Sequence, residues 1–180
     1  VGTITPRGQT GSLKPRIFRL EKDKAMINRL GFNNDGMVIV SERLLKNPPE
    51  DFLGINIGPN KDTKKKISDF TKCFSQLNQL ASYITVNISS PNTEGLRDFH
   101  EEKLLSNLLI KLNELKKNKK IQCPIVLKVS PDIKEKEILN INELVLKFKI
   151  DGIILTNTTN QHREHLLDIK KDESGGLSGL

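Results

Sequence analysis

Tryptophan is absent from this 180-residue sequence, tyrosine occurs once and phenylalanine seven times. A core built from it must rest on Ile, Leu and Val. The same scarcity leaves no aromatic side chain interleaved with the lysine runs Lys64-Lys65-Lys66, Lys116-Lys117 and Lys119-Lys120. A platform for stacking nucleic-acid bases is therefore missing, and no nucleic-acid partner is expected. The net charge of +7, from 29 Lys and Arg against 22 Asp and Glu, is read as solvated helix faces and loops. Cysteine is down to Cys73 and Cys123, with no disulfide framework, so a reduced, cytosolic setting is the default. His100, His162 and His165 lack ligand spacing with a carboxylate or cysteine, and no metal site is expected. No apolar run reaches the ~20 residues a membrane-spanning helix needs, and no signal-peptide pattern occurs. Asn87-Ile-Ser89 and Asn157-Thr-Thr159 match the glycosylation sequon, which at strand ends is read as chance. The chain starts at Val1 without Met and stops at Leu180 just after a Gly-Gly motif; both ends are expected to be cuts in a longer protein.

What the sequence does contain is a strand–helix alternation. Residues 52–57 (FLGINI), 83–88 (YITVNI), 124–129 (PIVLKV) and 150–155 (IDGIIL) read as buried strands rich in Ile, Val and Leu. Residues 1–5 read as the tail of an earlier one. Apolar side chains at helical spacing place helices over 64–81, 101–117 and 134–148. Asp62 or Thr63 is the expected cap of the first, and Asp132 of the third. Such an order gives parallel βαβ units with right-handed crossovers, as in a barrel or a doubly wound sheet. Before residue 52 the pattern differs. A Pro/Gly-punctuated excursion over 5–16 is followed by a short strand at 17–20, a brief helix at 22–30 and a second helix at 35–46, ended by Pro48-Pro49.

Each strand-like run ends in hydrogen-bonding residues. The most informative is 83–97, where YITVNI breaks into Ser89-Ser90-Pro91-Asn92-Thr93-Glu94-Gly95. A packed core has little use for such a cluster, because every buried polar group needs a partner. It is either a polar turn or part of a site. Asn56, Asn87, Ser89, Ser90, Lys128, Ser130, Thr156, Asn157, Thr158 and Thr159 stand at corresponding ends. In a parallel barrel these ends converge on one face, where active sites lie. The combined chemistry is amides, hydroxyls and one lysine, with no Asp/Glu pair and no Cys–His pair. That argues against glycoside hydrolysis and a cysteine nucleophile. It suits a planar heterocycle with amide-like edges. Lys128, inside an apolar strand, is either a partnered, snorkelling lysine or a cation held against an electron-rich cofactor.

Nine segments in order carry a family likeness. They are Val1-Gly-Thr-Ile-Thr-Pro6, Lys14-Pro-Arg-Ile-Phe-Arg19, Asn28-Arg-Leu-Gly-Phe-Asn-Asn34, Gly54-Ile-Asn-Ile-Gly58, Asn87-Ile-Ser-Ser-Pro-Asn-Thr93, Lys128-Val-Ser-Pro-Asp132, Asp151-Gly152, Thr156-Asn-Thr-Thr159 and Gly175-Gly-Leu-Ser-Gly179. Together they resemble dihydroorotate dehydrogenase of the class 2, quinone-dependent branch, along the whole chain. The resemblance implies an α/β fold, the (β/α)8 TIM barrel, with about five of the eight strands present here. It implies that residues 1–180 are one incomplete FMN-binding barrel domain. The implied reaction is oxidation of dihydroorotate to orotate, with FMN as cofactor and a quinone as electron acceptor, in pyrimidine synthesis. Ser90 falls at the position of the catalytic base, where class 1 members carry Cys; Phe32 and Thr93 match residues beside that base. By the same matching, Asn28, Asn87, Asn92, Asn157 and Thr158 would bind the substrate. Thr3, Asn56, Asn87, Lys128, Thr156 and Gly179 would contact FMN. Gly8, Pro59 and Glu94 depart from the pattern at positions with no catalytic role.

The first barrel strand, the last two with their glycine-rich phosphate loops, and the N-terminal helices at the quinone entrance lie outside the match. The intact enzyme would associate peripherally with a membrane through a segment absent from this chain. That membrane would be the inner membrane, on its cytoplasmic face, in a bacterium, or the mitochondrial inner membrane in a eukaryote. The 180 residues alone are expected not to turn over, since an open barrel exposes strand edges. The alternative is a non-catalytic remnant of a split or decaying gene of the same family.

Overall fold

Side chains of successive residues in a strand point to opposite faces, and that alternation sets the architecture here. The computed structural model describes residues 1–179. In chain order these form β1 (Ile17–Leu20), β2 (Ala25–Asn28), α1 (Met37–Lys46), β3 (Gly54–Ile57), α2 (Lys66–Leu77), β4 (Tyr83–Asn87), α3 (Glu102–Lys119), β5 (Ile125–Val129), α4 (Glu135–Lys147), β6 (Gly152–Leu155) and β7 (Gly176–Gly179). Strands β3, β4, β5 and β6 lie side by side in one parallel sheet, in sequence order. Residues 1–5 add a fifth position at the β3 edge. There the Asn56 N–H donates to the Val1 carbonyl at 2.8 Å, the Ile4 N–H to Asn56 at 2.8 Å and the Gly58 N–H to Ile4 at 3.0 Å.

One face of this sheet is apolar. Ile55, Ile57, Ile84, Val86, Ile125, Leu127 and Val129 are buried in a single cluster with Phe70, Phe74 and Leu77 of α2 and Leu105, Leu108, Leu109 and Leu112 of α3. Each such side chain contributes about 1.5–3 kcal/mol through burial. The other face carries Asn56, Thr85, Asn87 and Lys128 at the alternate positions, and the register sets Asn56 beside Thr85 and Asn87 beside Lys128. The runs expected to be apolar on both faces are thus apolar toward the helices and polar toward the concave side. The turn after the Ser90 loop is tied to α2 by an edge-to-face contact of Phe99 with Phe70, with ring centroids 5.8 Å apart.

Three local expectations are corrected. The helix expected over 22–30 is a single 3-10 turn, Glu21–Asp23, followed by β2, which pairs antiparallel with β1. The burial explains it: Ala25 and Ile27 are buried and Met26 is exposed, a period of two that packs against Phe18, Leu20 and Leu166. Neither Asp62 nor Thr63 caps α2, which starts at Lys66 without a side-chain cap, while Asp62 pairs with Arg7. Asp132 does not cap α4 either. Its carboxylate is taken up by Arg97, Thr159 and Asn160, and Glu137 accepts the Lys134 N–H at 2.7 Å instead. The Gly-rich segment near the end of the chain forms β7, an unanticipated strand antiparallel to β2 with Asn28 opposite Gly176.

His100, at the end of the Phe99 turn, is 3% exposed, and its Nε2 has no hydrogen-bond partner. Burial pushes its imidazole below the usual histidine range; Glu137 opposes this and Arg97 reinforces it. The folded protein takes up a proton at His100 less readily than the unfolded chain does. This contribution to stability is therefore complete above pH 6.5 and is lost as pH falls below it. The difference in urea midpoint between pH of about 7.5 and about 5.5 is expected to shrink in His100→Asn relative to the unaltered protein. An equal difference in both proteins would count against a buried neutral His100.

Candidate active site

The polar face of the sheet opens at the carboxyl ends of β3–β6 into a cleft of about 370 Å³. Thr3, Asn28, Asn56, Asn87, Ser90, Asn92, Lys128, Asn157 and Thr158 all line it, together with Phe32 and Pro91. These residues come from six separate stretches of the chain. The β1–β2–β7 sheet places Asn28 and the following loop over the strand ends, anchored by paired backbone hydrogen bonds between Thr159 and Leu177 at 3.0 and 2.7 Å. Two expected site residues are not brought to the cleft. Thr156 is exposed just past β6, and Gly179 lies in β7 opposite Ala25, beside a different hollow.

The cleft's side chains are already ordered by one another. Asn87 Nδ2 donates to Thr3 Oγ1, and Thr3 Oγ1 donates to Asn56 Oδ1, each at 3.1 Å. Asn87 Oδ1 accepts from the Ser89 N–H at 3.1 Å and the Ser89 hydroxyl at 2.7 Å. Asn157 Nδ2 donates to Ser89 Oγ at 2.9 Å, while Asn157 Oδ1 accepts from the Thr158 N–H at 2.8 Å. Ser89, adjacent to Ser90, thus links the β4 and β6 walls. Ser90 is 5% exposed and accepts the Asn92 N–H at 3.3 Å. Asn92 Nδ2 reaches the Asn28 carbonyl at 3.2 Å. Thr93, also 5% exposed, shares the loop, and Phe32 stands across the cleft with φ +55°. Among the described residues no hydrogen bond or ion pair engages Lys128 Nζ, so its charge is free for whatever enters.

Two further residues, Arg97 and Asp132, had not been singled out from sequence as site groups. Arg97, Asp132 and Thr159 form a cluster directly behind the cleft. Burial alone would raise the Asp132 carboxyl. The Thr159 hydroxyl, the Asn160 N–H and the Arg97 guanidinium outweigh it and hold that carboxyl below its usual range. The available signal was an opposite-charge pair in the segments that follow β4 and β5, where charge burial demands a partner.

Gly176 of β7 packs directly against Thr158. A Cβ on it would lie 1.9 Å from Thr158 Oγ1 and 2.6 Å from Thr158 Cβ. Gly176→Ala is expected to displace Thr158 and to destabilise the fold by about 1–3 kcal/mol, the usual cost of overpacking. The urea midpoint checks this; an unchanged midpoint would mean that Thr158 yields freely.

Residues 1–180, the whole chain, match the family model described as Dihydroorotate dehydrogenase. The chain belongs to the dihydroorotate dehydrogenase family. It is 44% identical over 183 residues to the quinone-dependent dihydroorotate dehydrogenase of Bartonella tribocorum, covering 99% of this chain and 51% of that protein. It is 47% identical over 186 residues to the namesake from Vibrio atlanticus, covering 99% and 55%. Its fold superposes on the crystal structure of the dihydroorotate dehydrogenase of Eimeria tenella in complex with ferulenol with a TM-score of 0.93, at 37% identity, over 100% of this chain and 55% of that one. The sheet and helices are therefore part of a TIM barrel, and the likeness is to the quinone-dependent branch. The chain spans about half the length of the curated relatives it matches.

Proposed function

We propose that these residues form one incomplete FMN-binding barrel domain of a quinone-dependent dihydroorotate dehydrogenase, oxidising dihydroorotate to orotate in pyrimidine synthesis. The observation that carries the reading is the convergence of Ser90, Lys128 and five amide or hydroxyl residues (Asn28, Asn87, Asn92, Asn157 and Thr158) on one cleft. Dihydroorotate is a small ring edged with amides and bearing a carboxylate, and it becomes planar on oxidation to orotate. Asn side chains can donate to its carbonyls and accept from its N–H groups at once. Ser90 Oγ, held in the loop between them, would take the proton from the ring carbon. Because a serine is a weak base, its own hydroxyl proton would have to pass on as the carbon proton arrives, by a relay in which Thr93, buried in the same loop, would take part.

The residues present also fit the ring end of FMN. Thr3, Asn56 and Asn87 form a hydrogen-bonded row at the floor of the cleft, and Lys128 adds an unpaired cation beside it. When bound, FMN supplies the acceptor for the hydride. Lys128 would hold negative charge at the ring, and Thr3, Asn56 and Asn87 would fix its orientation. Thr156 and Gly179 remain proposed cofactor contacts, made from outside the cleft as it stands. The quinone and the membrane surface would be met by a segment outside this chain; no described helix is long and apolar enough to cross a membrane. Localisation would follow that segment, at the inner membrane of a bacterium or of a mitochondrion.

The full-length gene product is expected to reduce a soluble quinone in a dihydroorotate-dependent reaction. Quinone reduction that ignores dihydroorotate would overturn the assignment.

A further inference from the structure

The cluster behind the cleft ties its walls together. Asp132 has a side chain only 6% exposed, against 25% for Arg97. The Arg97 guanidinium donates in three directions. Nε reaches the Ser89 carbonyl at 3.3 Å, Nη1 reaches Asp132 Oδ2 at 2.9 Å and Nη2 reaches the Thr158 carbonyl at 3.3 Å. The Asp132 carboxylate in turn accepts from the Thr159 hydroxyl and, at 2.9 Å, from the Asn160 N–H. These partners sit in the segments that follow β4, β5 and β6. A planar guanidinium holds several acceptors in fixed relative orientation, which a lysine ammonium cannot do. An ion pair serving stability alone would have no reason to end on the residue before Ser90 and on the backbone of Thr158, which belong to the segments after β4 and β6 that supply the cleft's walls.

We infer that Arg97 and Asp132 are positioning residues, which set the spacing between Ser90 and the Asn157-Thr158 wall so that the substrate ring is gripped with its reacting carbon at Ser90 Oγ. The inference rests on the reading of the cleft as a dihydroorotate site. Neither residue touches the substrate. Their effect passes through Ser89, whose hydroxyl also receives Asn157 and donates to Asn87.

The test uses the flavin-loaded full-length protein and two conservative variants. Arg97→Lys keeps the charge and loses the fork; Asp132→Asn keeps the shape and loses the charge. Orotate affinity, FMN content and unfolding midpoint are measured for each. Both variants are expected to bind orotate at least about tenfold more weakly while retaining FMN, since charge-assisted hydrogen bonds are broken in each. In Arg97→Ala, millimolar methylguanidine is expected to restore part of the orotate affinity, a rescue that a role in stability alone would not produce. Orotate binding unchanged in both conservative variants overturns the positioning role. So does a loss of affinity that only tracks loss of FMN or of folded protein in every variant. An unaltered protein that fails to bind orotate overturns the substrate reading, and this inference with it.

Discussion

Ser90→Ala is expected to slow dihydroorotate oxidation by roughly 10²–10⁴-fold, the usual contribution of a positioned acid–base group, while orotate still binds. The reasoning is local. Ser90 is buried at the head of the loop after β4, and its hydroxyl accepts one backbone N–H from Asn92. Removing it leaves the amide network intact, because that network runs through Ser89, Asn87 and Asn157 rather than Ser90. Turnover and affinity should therefore separate. Steady-state turnover with a parallel orotate titration checks this. A variant that keeps its turnover would place the base elsewhere, and one that loses orotate binding would make Ser90 a binding residue.

Lys128→Met is expected to weaken retention of FMN by roughly 10- to 150-fold, the equivalent of a charged hydrogen bond of about 1.5–3 kcal/mol. Methionine keeps the length and apolar stem of lysine, so the packing between β4 and β6 is preserved. What disappears is a cation on the concave face, beside Asn87 in register, that has no protein partner among the described residues. In a lysine whose only role is to snorkel, the change would be neutral or stabilising. The ratio of FMN to protein after dialysis distinguishes the two, with the unfolding midpoint as control. Full retention of FMN with an unchanged midpoint would assign Lys128 to the surface rather than to the cofactor.

Much of this site was legible because parallel-sheet architecture turns position along a strand into position in space. Asn56, Asn87, Lys128 and Ser90 could be brought to one end of the sheet by their places at or just beyond strand ends. The failures have equally local causes. The stretch leading into β2 contains Lys22, Lys24, Ala25 and Met26, which suit a helix by propensity; pairing with β1 and the burial of Ala25 and Ile27 overrode that preference. In β7, Gly176 and Gly179 disguise a strand, since glycine is rare in strand interiors; here close approach to Thr158 and Ala25 requires it. Asp132 looked like a helix cap because Asp before a helix usually is one. Its true partners, Arg97 and Thr159, are 35 and 27 residues away, a relation that no local pattern contains.

The most direct measurement of the central claim is an absorbance spectrum of the purified full-length gene product, taken before and after anaerobic addition of dihydroorotate. The account predicts a flavin spectrum that bleaches on addition, together with the appearance of orotate. A colourless protein, or a yellow one that dihydroorotate leaves unchanged, would contradict it.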